Sequence, residues 1–131
     1  MKTRIALLFL ACATVGCSTT SKNAKQELKI DDMITTELAL APDVEVIVAR
    51  VSIPPNMTLP KHWHPGEEFV YVLDGSAVLW QKDKEDVTLR KGDVFRIPLK
   101  QIHTATAGKD GATALVFRVH EKGKPARINA E

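Results

Sequence analysis

Cysteine is scarce in this chain of 131 residues: there are two, and both lie near the N-terminus. A disulfide-stabilised scaffold and a cysteine-based zinc finger are therefore excluded. Aromatic residues make up 5% of the chain, and the formal net charge is +2 with no run of basic residues. The chain thus lacks the electrostatic footprint of a nucleic-acid-binding protein, and we expect no nucleic-acid partner.

Long hydrophobic runs are also absent, with one exception near the start. The apolar run from Ile5 to Val15 has about eleven residues, whereas a membrane-spanning helix needs roughly 20. It follows the basic Lys2 and Arg4 and ends in Gly16-Cys17. This order is typical of a secretory signal peptide. The small residues before Cys17 resemble a bacterial lipobox, in which the cysteine is lipidated and becomes the mature N-terminus.

We therefore predict a signal peptide over residues 1–16 and a lipidated, flexible tether over residues 17–29. The implied location is the periplasmic side of the outer membrane, with the lipid on Cys17 as the only membrane contact. The alternative is cleavage after Ala13, which would give a soluble periplasmic protein. Removing residues 1–16 deletes two basic residues and leaves equal numbers of basic and acidic residues.

The rest of the chain is rich in short β-type segments separated by turn residues, and no amphipathic helix is indicated after Ile34. Strands at this spacing predict an all-β sandwich or barrel. Asp74-Gly75 lies between two apolar runs and predicts a hairpin turn. We place the β-barrel domain at residues 30–122, expect the fold to end near His120, and assign residues 123–131 to a polar C-terminal tail.

A histidine-rich stretch carries the chemistry. Side chains alternate between faces along a strand, so His62 and His64 share a face and can bind one ion. Glu68 has the same parity, and the Pro-Gly pair before it can return its carboxylate to the same point. His103, after a turn-rich segment, is the expected fourth ligand. Imidazoles and a carboxylate without thiolate suit Mn, Fe, Co, Ni, Zn or Cu.

These residues resemble the two motifs of the cupin superfamily. His62, His64, Glu68 and Gly75 match the spacing of the first motif, and Gly92, Pro98 and His103 match that of the second. The resemblance implies a double-stranded β-helix of jelly-roll type, with a three-histidine, one-glutamate metal site inside.

Three positions depart from the motifs. Asn56 and Lys100 stand where glycines are usual, and Ala107 replaces an asparagine. These departures affect the expected loop geometry rather than the metal ligands.

Parity also predicts the surroundings of the metal. Val70 and Val72 should line the cavity, whereas Phe69, Tyr71 and Leu73 should occupy the other face. That face either packs in the core or forms the interface of a homodimer. Glu67 should point away from the metal and is the alternative ligand if the Pro-Gly turn shifts the register of the strand. His120 matches no motif position.

The implied function is an exported, metal-binding protein that acts on or binds a small oxygenated metabolite. Dioxygenase, isomerase and lyase chemistry all fit an open metal site, and a non-catalytic module for a small molecule or metal is the alternative. The signal lacks a twin-arginine pair, so export should precede folding and metal binding. Intrinsic affinity then favours Zn, Ni or Cu, with Fe or Mn as the other candidates.

Overall fold

A computed structural model describes residues 26–130 of the chain. The predictions for the signal peptide and for Cys17 concern residues outside this range. Within it, no helix is long and apolar enough to cross a membrane. The described residues form eight strands: β1 Lys29–Leu38, β2 Ala41–Ile53, β3 His62–Trp63, β4 Gly66–Gln81, β5 Val87–Arg90, β6 Val94–Ile97, β7 His103–Glu121 and β8 Ile128–Asn129.

Two long antiparallel strands, β4 and β7, organise the fold. They pair along nearly their whole length, from Gly66 opposite His120 to Gln81 opposite His103. The first half of β4 also pairs with β6 and its second half with β5, while β2 joins the second half of β7. The result is a curled antiparallel sheet of the cupin-like barrel type, which confirms the predicted all-β fold class.

The predicted hairpin at Asp74-Gly75 was wrong, because β4 continues through both residues. Gly75 instead lies at a bulge, with φ at +71°, where β4 and β7 bend together. A Cβ atom on Gly75 would overlap the carbonyl group of Gly111 on β7, which also has a positive φ. The glycines therefore permit a close backbone approach that curls the sheet, rather than a reversal of the chain.

The concave face of the sheet is apolar. Val51, Val72, Leu79, Ile97 and Val116 are buried there and belong to two neighbouring hydrophobic clusters. They come from four strands, β2, β4, β6 and β7, and parity explains their shared direction because every second residue faces inward. This layer surrounds the space into which the histidines point.

The sheet extends further toward both ends of the described chain than the sequence predicts. Strand β1 begins at Lys29, within the predicted tether, and pairs with β2. The expectation that the fold ends near His120 was wrong: Ile128 and Asn129 pair with Trp63 and His62 of β3. The C-terminal segment therefore returns to the strand that carries the first histidine.

Candidate metal centre

The structure brings the four predicted ligands together. His62 lies on β3, His64 directly follows that strand, Glu68 lies on β4, and His103 begins β7 opposite His62. All four side chains are buried. One ring nitrogen from each histidine lies within 4.8 Å of those of the other two. The three histidines are thus arranged so that they could hold one metal ion.

Backbone carbonyl groups fix which ring nitrogen faces the centre. The Nδ1 atoms of His62 and His103 each donate to the carbonyl oxygen two residues earlier, at Pro60 and Gln101, both at 2.8 Å. His64 Nδ1 donates to the carbonyl oxygen of Ala126, at 2.6 Å. A carbonyl oxygen only accepts, so Nδ1 carries the proton and the Nε2 lone pair is left for a metal.

The contact between His64 and Glu68 shows that this donor set suits a cation. His64 Nε2 lies 3.0 Å from Glu68 Oε2 and is buried without a hydrogen-bond partner. Because Nδ1 donates to the Ala126 carbonyl oxygen, a neutral ring would place the lone pair of Nε2 against a lone pair of Glu68 Oε2. A proton or a metal ion between the two atoms resolves this opposition, and nitrogen and oxygen donors suit a divalent transition metal.

Arg118 is the other partner of Glu68. Its Nε donates to Glu68 Oε2 at 2.8 Å, and both side chains are buried. Burial by itself would raise the pKa of Glu68, but a protonated His64, whose Nε2–H would donate to the carboxylate, and the Arg118 guanidinium lower that pKa to about 2. The carboxylate is therefore ionised at neutral pH and available as a ligand.

Burial also keeps two of the histidines neutral. It lowers the pKa of His62 to about 3, helped by the charge of His103, and it lowers the pKa of His103 as well. A neutral imidazole is the form that binds metal. Protons therefore compete weakly for these two nitrogens near pH 7.

The remaining predicted positions fall as follows. Val70 and Val72 line the cavity beside the centre. Glu67 points the other way and pairs with Arg96. Fully buried His120 lies apart from the centre, with Nδ1 3.3 Å from Glu45 Oε1.

Phe69, Tyr71 and Leu73 lie on the outer face of β4, away from the cavity. Tyr71 stays 45% exposed, and Phe117, which pairs with Phe69 across the strands, stays 41% exposed. This face is therefore only partly covered within the described residues. The homodimer stays a prediction.

The three departures from the sequence motifs are accommodated locally. Asn56 and Lys100, which replace glycines, both take a left-handed backbone with φ of 58°. Asparagine tolerates this region, and a lysine there costs about 1 kcal/mol. Lys100 N–H also donates to the His64 carbonyl oxygen at 3.2 Å, so the loop still reaches the centre. Ala107 is buried in the core.

Sequence reasoning missed three contributors to the site: Arg118, Arg127 and the Ala126 carbonyl group. Arg118 had a readable signal, since it is a charged residue at an inward-facing position of an apolar strand. The other two belong to the segment that was predicted as a tail. Only long-range strand pairing brings that segment to the site.

A cavity of about 100 Å³ adjoins the centre. It is lined by His62, Glu68 and His103 together with Arg118, Arg127 and a wall of aliphatic side chains. The space is sufficient for several water molecules or a small organic molecule. The arrangement places His62, Glu68 and His103 at the wall of a mostly apolar pocket.

The family model described as Cupin domain matches residues 49–119, more than half of the chain. The chain belongs to the cupin family. The matched range contains all four predicted ligands, His62, His64, Glu68 and His103.

This cupin has curated relatives of known activity. It is 35% identical over 78 residues to a 3-hydroxyanthranilate 3,4-dioxygenase of Jannaschia sp. (strain CCS1), covering 57% of this chain and 43% of that one. The chain therefore spans less than half the length of that relative.

Solved structures support the fold. A cupin-like protein of Thermotoga maritima MSB8 aligns with a TM-score of 0.64 and 20% identity, covering 79% of this chain and 75% of that one. A DMSP lyase of Ruegeria pomeroyi DSS-3 aligns with a TM-score of 0.65 and 20% identity, covering 91% and 59%. At this identity the likeness concerns the barrel alone.

Proposed function

We propose that this cupin binds one divalent transition metal through His62, His64, Glu68 and His103 and acts there on a small oxygenated metabolite. The observation that carries the proposal is the preset direction of the three imidazoles: each Nδ1 is held by a carbonyl group, which leaves Nε2 to the centre. A bound metal would supply Lewis acidity or a place for dioxygen. The protein supplies orientation, a charged carboxylate and an apolar enclosure.

Among the reaction classes that suit such a metal, we favour dioxygenation. Isomerases and lyases generally need an acid or base that moves a proton on the substrate. The titratable residues that line the cavity within residues 26–130 are three of the four proposed ligands, His62, Glu68 and His103, and two arginines, which stay protonated. Chemistry that depends on metal and dioxygen makes the smallest demand on further side chains. The dioxygenase relatives support the same choice.

The alternative is a non-catalytic module that captures a small molecule or the metal itself. The same sparse set of titratable side chains supports it, because a binding pocket needs no acid or base. The two functions differ in turnover, which makes them separable by experiment.

The test loads the chelator-treated full chain separately with Fe(II), Mn(II), Ni(II), Cu(II) and Zn(II). Metal content and oxygen uptake are then measured with 3-hydroxyanthranilate and related aromatic acids. We expect one metal per chain and oxygen uptake with a redox-active metal. Stoichiometric ligand binding without oxygen uptake would favour the binding module, and failure to retain any metal would refute the metal site and leave only a metal-free module for a small molecule.

The matched control is His120→Ala compared with His103→Ala. Both remove a buried imidazole from β7, but only the second removes a proposed ligand. We expect metal content and any oxygen uptake to be lost with His103→Ala and kept with His120→Ala. Equal metal retention in the two variants would contradict the four-ligand site.

We also propose export as a lipoprotein anchored through Cys17, on the strength of the basic, apolar and lipobox order of residues 1–17. Cys17→Ser should release the protein from membranes or leave it as an unprocessed precursor. Normal maturation and fractionation of that variant would favour cleavage after Ala13. Element analysis of natively exported protein tests the expected preference for Zn, Ni or Cu, and a full complement of Fe or Mn would overturn it.

A further inference from the structure

The C-terminal strap, residues 123–130, is built into one end of the cavity. Its strand β8 pairs with β3, and Ala130 N–H donates to the Lys61 carbonyl oxygen at 2.9 Å. The Ala126 carbonyl oxygen accepts from His64, and the Pro125 carbonyl oxygen lies 3.2 Å from His120 Nε2. These contacts hold the strap against two histidines. Arg127, which lies between Ala126 and strand β8, is consequently held at the cavity.

Arg127 lines the same cavity as His62 and His103 and is half-buried. Its Nε and Nη2 atoms donate to the side-chain oxygen of Asn129, at 3.3 and 3.1 Å. Among residues 26–130, no carboxylate lies within ion-pair distance of it. A neutral amide oxygen orients the guanidinium without compensating its charge.

The other charges of the cavity increase this imbalance. Glu68 is matched by Arg118, so this pair is close to neutral. Arg127 adds one positive charge and a divalent metal would add two more. The aliphatic side chains that line the cavity screen charge poorly, so the positive charge attracts an anion inside the cavity more strongly than it would in water. A carboxylate is the group whose shape matches a guanidinium, because it can accept two parallel N–H bonds.

We propose that Arg127 is the specificity-determining residue of the cavity: it binds the carboxylate of the ligand, so that the site selects small organic acids over neutral molecules of the same shape. The apolar wall accommodates the body of the ligand. This inference deepens the proposed function, since it places the ligand in the metal cavity. The inference concerns a residue of the strap rather than a metal ligand, so the inference and the proposed metal site can be refuted separately.

The test measures binding to the Zn(II)-loaded full chain, which does not turn over by redox chemistry. The probes are acetate, butyrate and benzoate, each paired with its neutral amide, titrated by calorimetry. The variants are Arg127→Met, which keeps the length of the side chain without its charge, and Arg127→Lys, which restores the charge. Lys124→Met is the control, because it removes one positive charge from the exposed part of the same strap.

We expect at least one carboxylate to bind wild type about 10-fold or more tightly than its amide, as one charge-assisted hydrogen-bonded pair would give. Arg127→Met should reduce that preference by several-fold, with the remainder due to the charge of the metal, and should leave amide binding within about threefold, while Arg127→Lys should recover part of the loss and Lys124→Met should keep the wild-type preference. Equal binding of every acid and its amide to wild type, or an undiminished preference in Arg127→Met, would overturn the inference.

Metal content and thermal unfolding are measured on every variant. Retained metal and an unchanged melting temperature in Arg127→Met assign its loss of acid binding to the missing charge. The chelator-treated proteins are titrated in parallel. A wild type that holds no metal yet prefers acids through Arg127 would refute the metal proposal and keep this inference.

Discussion

The Arg118→Met variant tests how much stability is lost when a buried ion pair is broken, in comparison with an exposed one. Arg118 and Glu68 are both buried and joined at 2.8 Å, so Arg118→Met leaves a carboxylate in the core without its guanidinium. Breaking such a pair from one side costs about 3–5 kcal/mol of folding free energy. For a domain of this size that is a fall of roughly 12–20 °C in melting temperature.

The chain contains a matched control one residue away. Glu67, next to Glu68 on β4, pairs with Arg96, but these side chains are 38% and 56% exposed. Arg96→Met should therefore cost about 0–1 kcal/mol, as surface pairs do. The two variants make the same chemical change on neighbouring pairs and differ in burial.

A bound metal should reduce the penalty at Arg118. If Glu68 is a ligand, the ion supplies the positive charge that the missing guanidinium gave. Urea unfolding of chelator-treated and Zn(II)-saturated protein measures both states. A larger stabilisation by zinc in Arg118→Met than in wild type is the expected result. Destabilisation no greater than that of Arg96→Met, or the same penalty with and without zinc, would refute the reasoning.

Three further outcomes are expected. His103→Ala should weaken zinc binding by more than the roughly 10–100-fold that is typical of an outer-shell change. His120→Ala should lower the stability of the fold and leave the zinc stoichiometry unchanged. Competition with a chromophoric chelator measures zinc binding in both variants, and urea unfolding measures their stability. The metal-free protein should lose stability as the pH falls from about 6.5 to 3, because His62 takes up a proton at a higher pH in the unfolded chain than in the folded one. Glu68 should extend the loss below pH 4.5, because its pKa is also lower in the folded protein. Urea midpoints that do not change with pH would contradict this. Gly75→Ala should destabilise by more than about 1 kcal/mol, since its φ is positive and its Cβ meets a carbonyl group; an unchanged melting temperature would contradict the bend.

The local parts of the site could be predicted from the sequence. His62, His64 and Glu68 lie close together along the chain, where alternation of side chains decides which share a face. His103 required the second motif, because nothing local indicates which strand lies opposite β3. Lys100 takes a positive φ, so the departure from glycine that was expected to affect the loop geometry is accommodated there.

The parts that could not be predicted depend on long-range pairing. Asp74-Gly75 has the composition of a hairpin turn, and only its register with Ala112 and Thr113 of β7 makes it a bulge. The strap is polar and short, so no periodicity distinguishes it from a tail. Its place is decided by backbone pairing with β3, which the side chains of the strap do not encode.

We expect the same strap to couple metal binding to the C-terminal segment. Two of the three outer acceptors are local carbonyl groups, but the acceptor for His64 is Ala126, which lies 62 positions along the chain. A metal on His64 Nε2 makes the Nδ1–H a stronger donor, so it should strengthen the bond to Ala126 and hold the strap; by linkage, the docked strap should favour the metal. Hydrogen exchange of the Ala130 amide, which donates to Lys61, reports the docking. We expect zinc to slow this exchange by roughly 10-fold or more, matching a coupling of about 1.4 kcal/mol. Equal exchange rates with and without zinc, at saturating occupancy, would show that the strap docks independently of the metal.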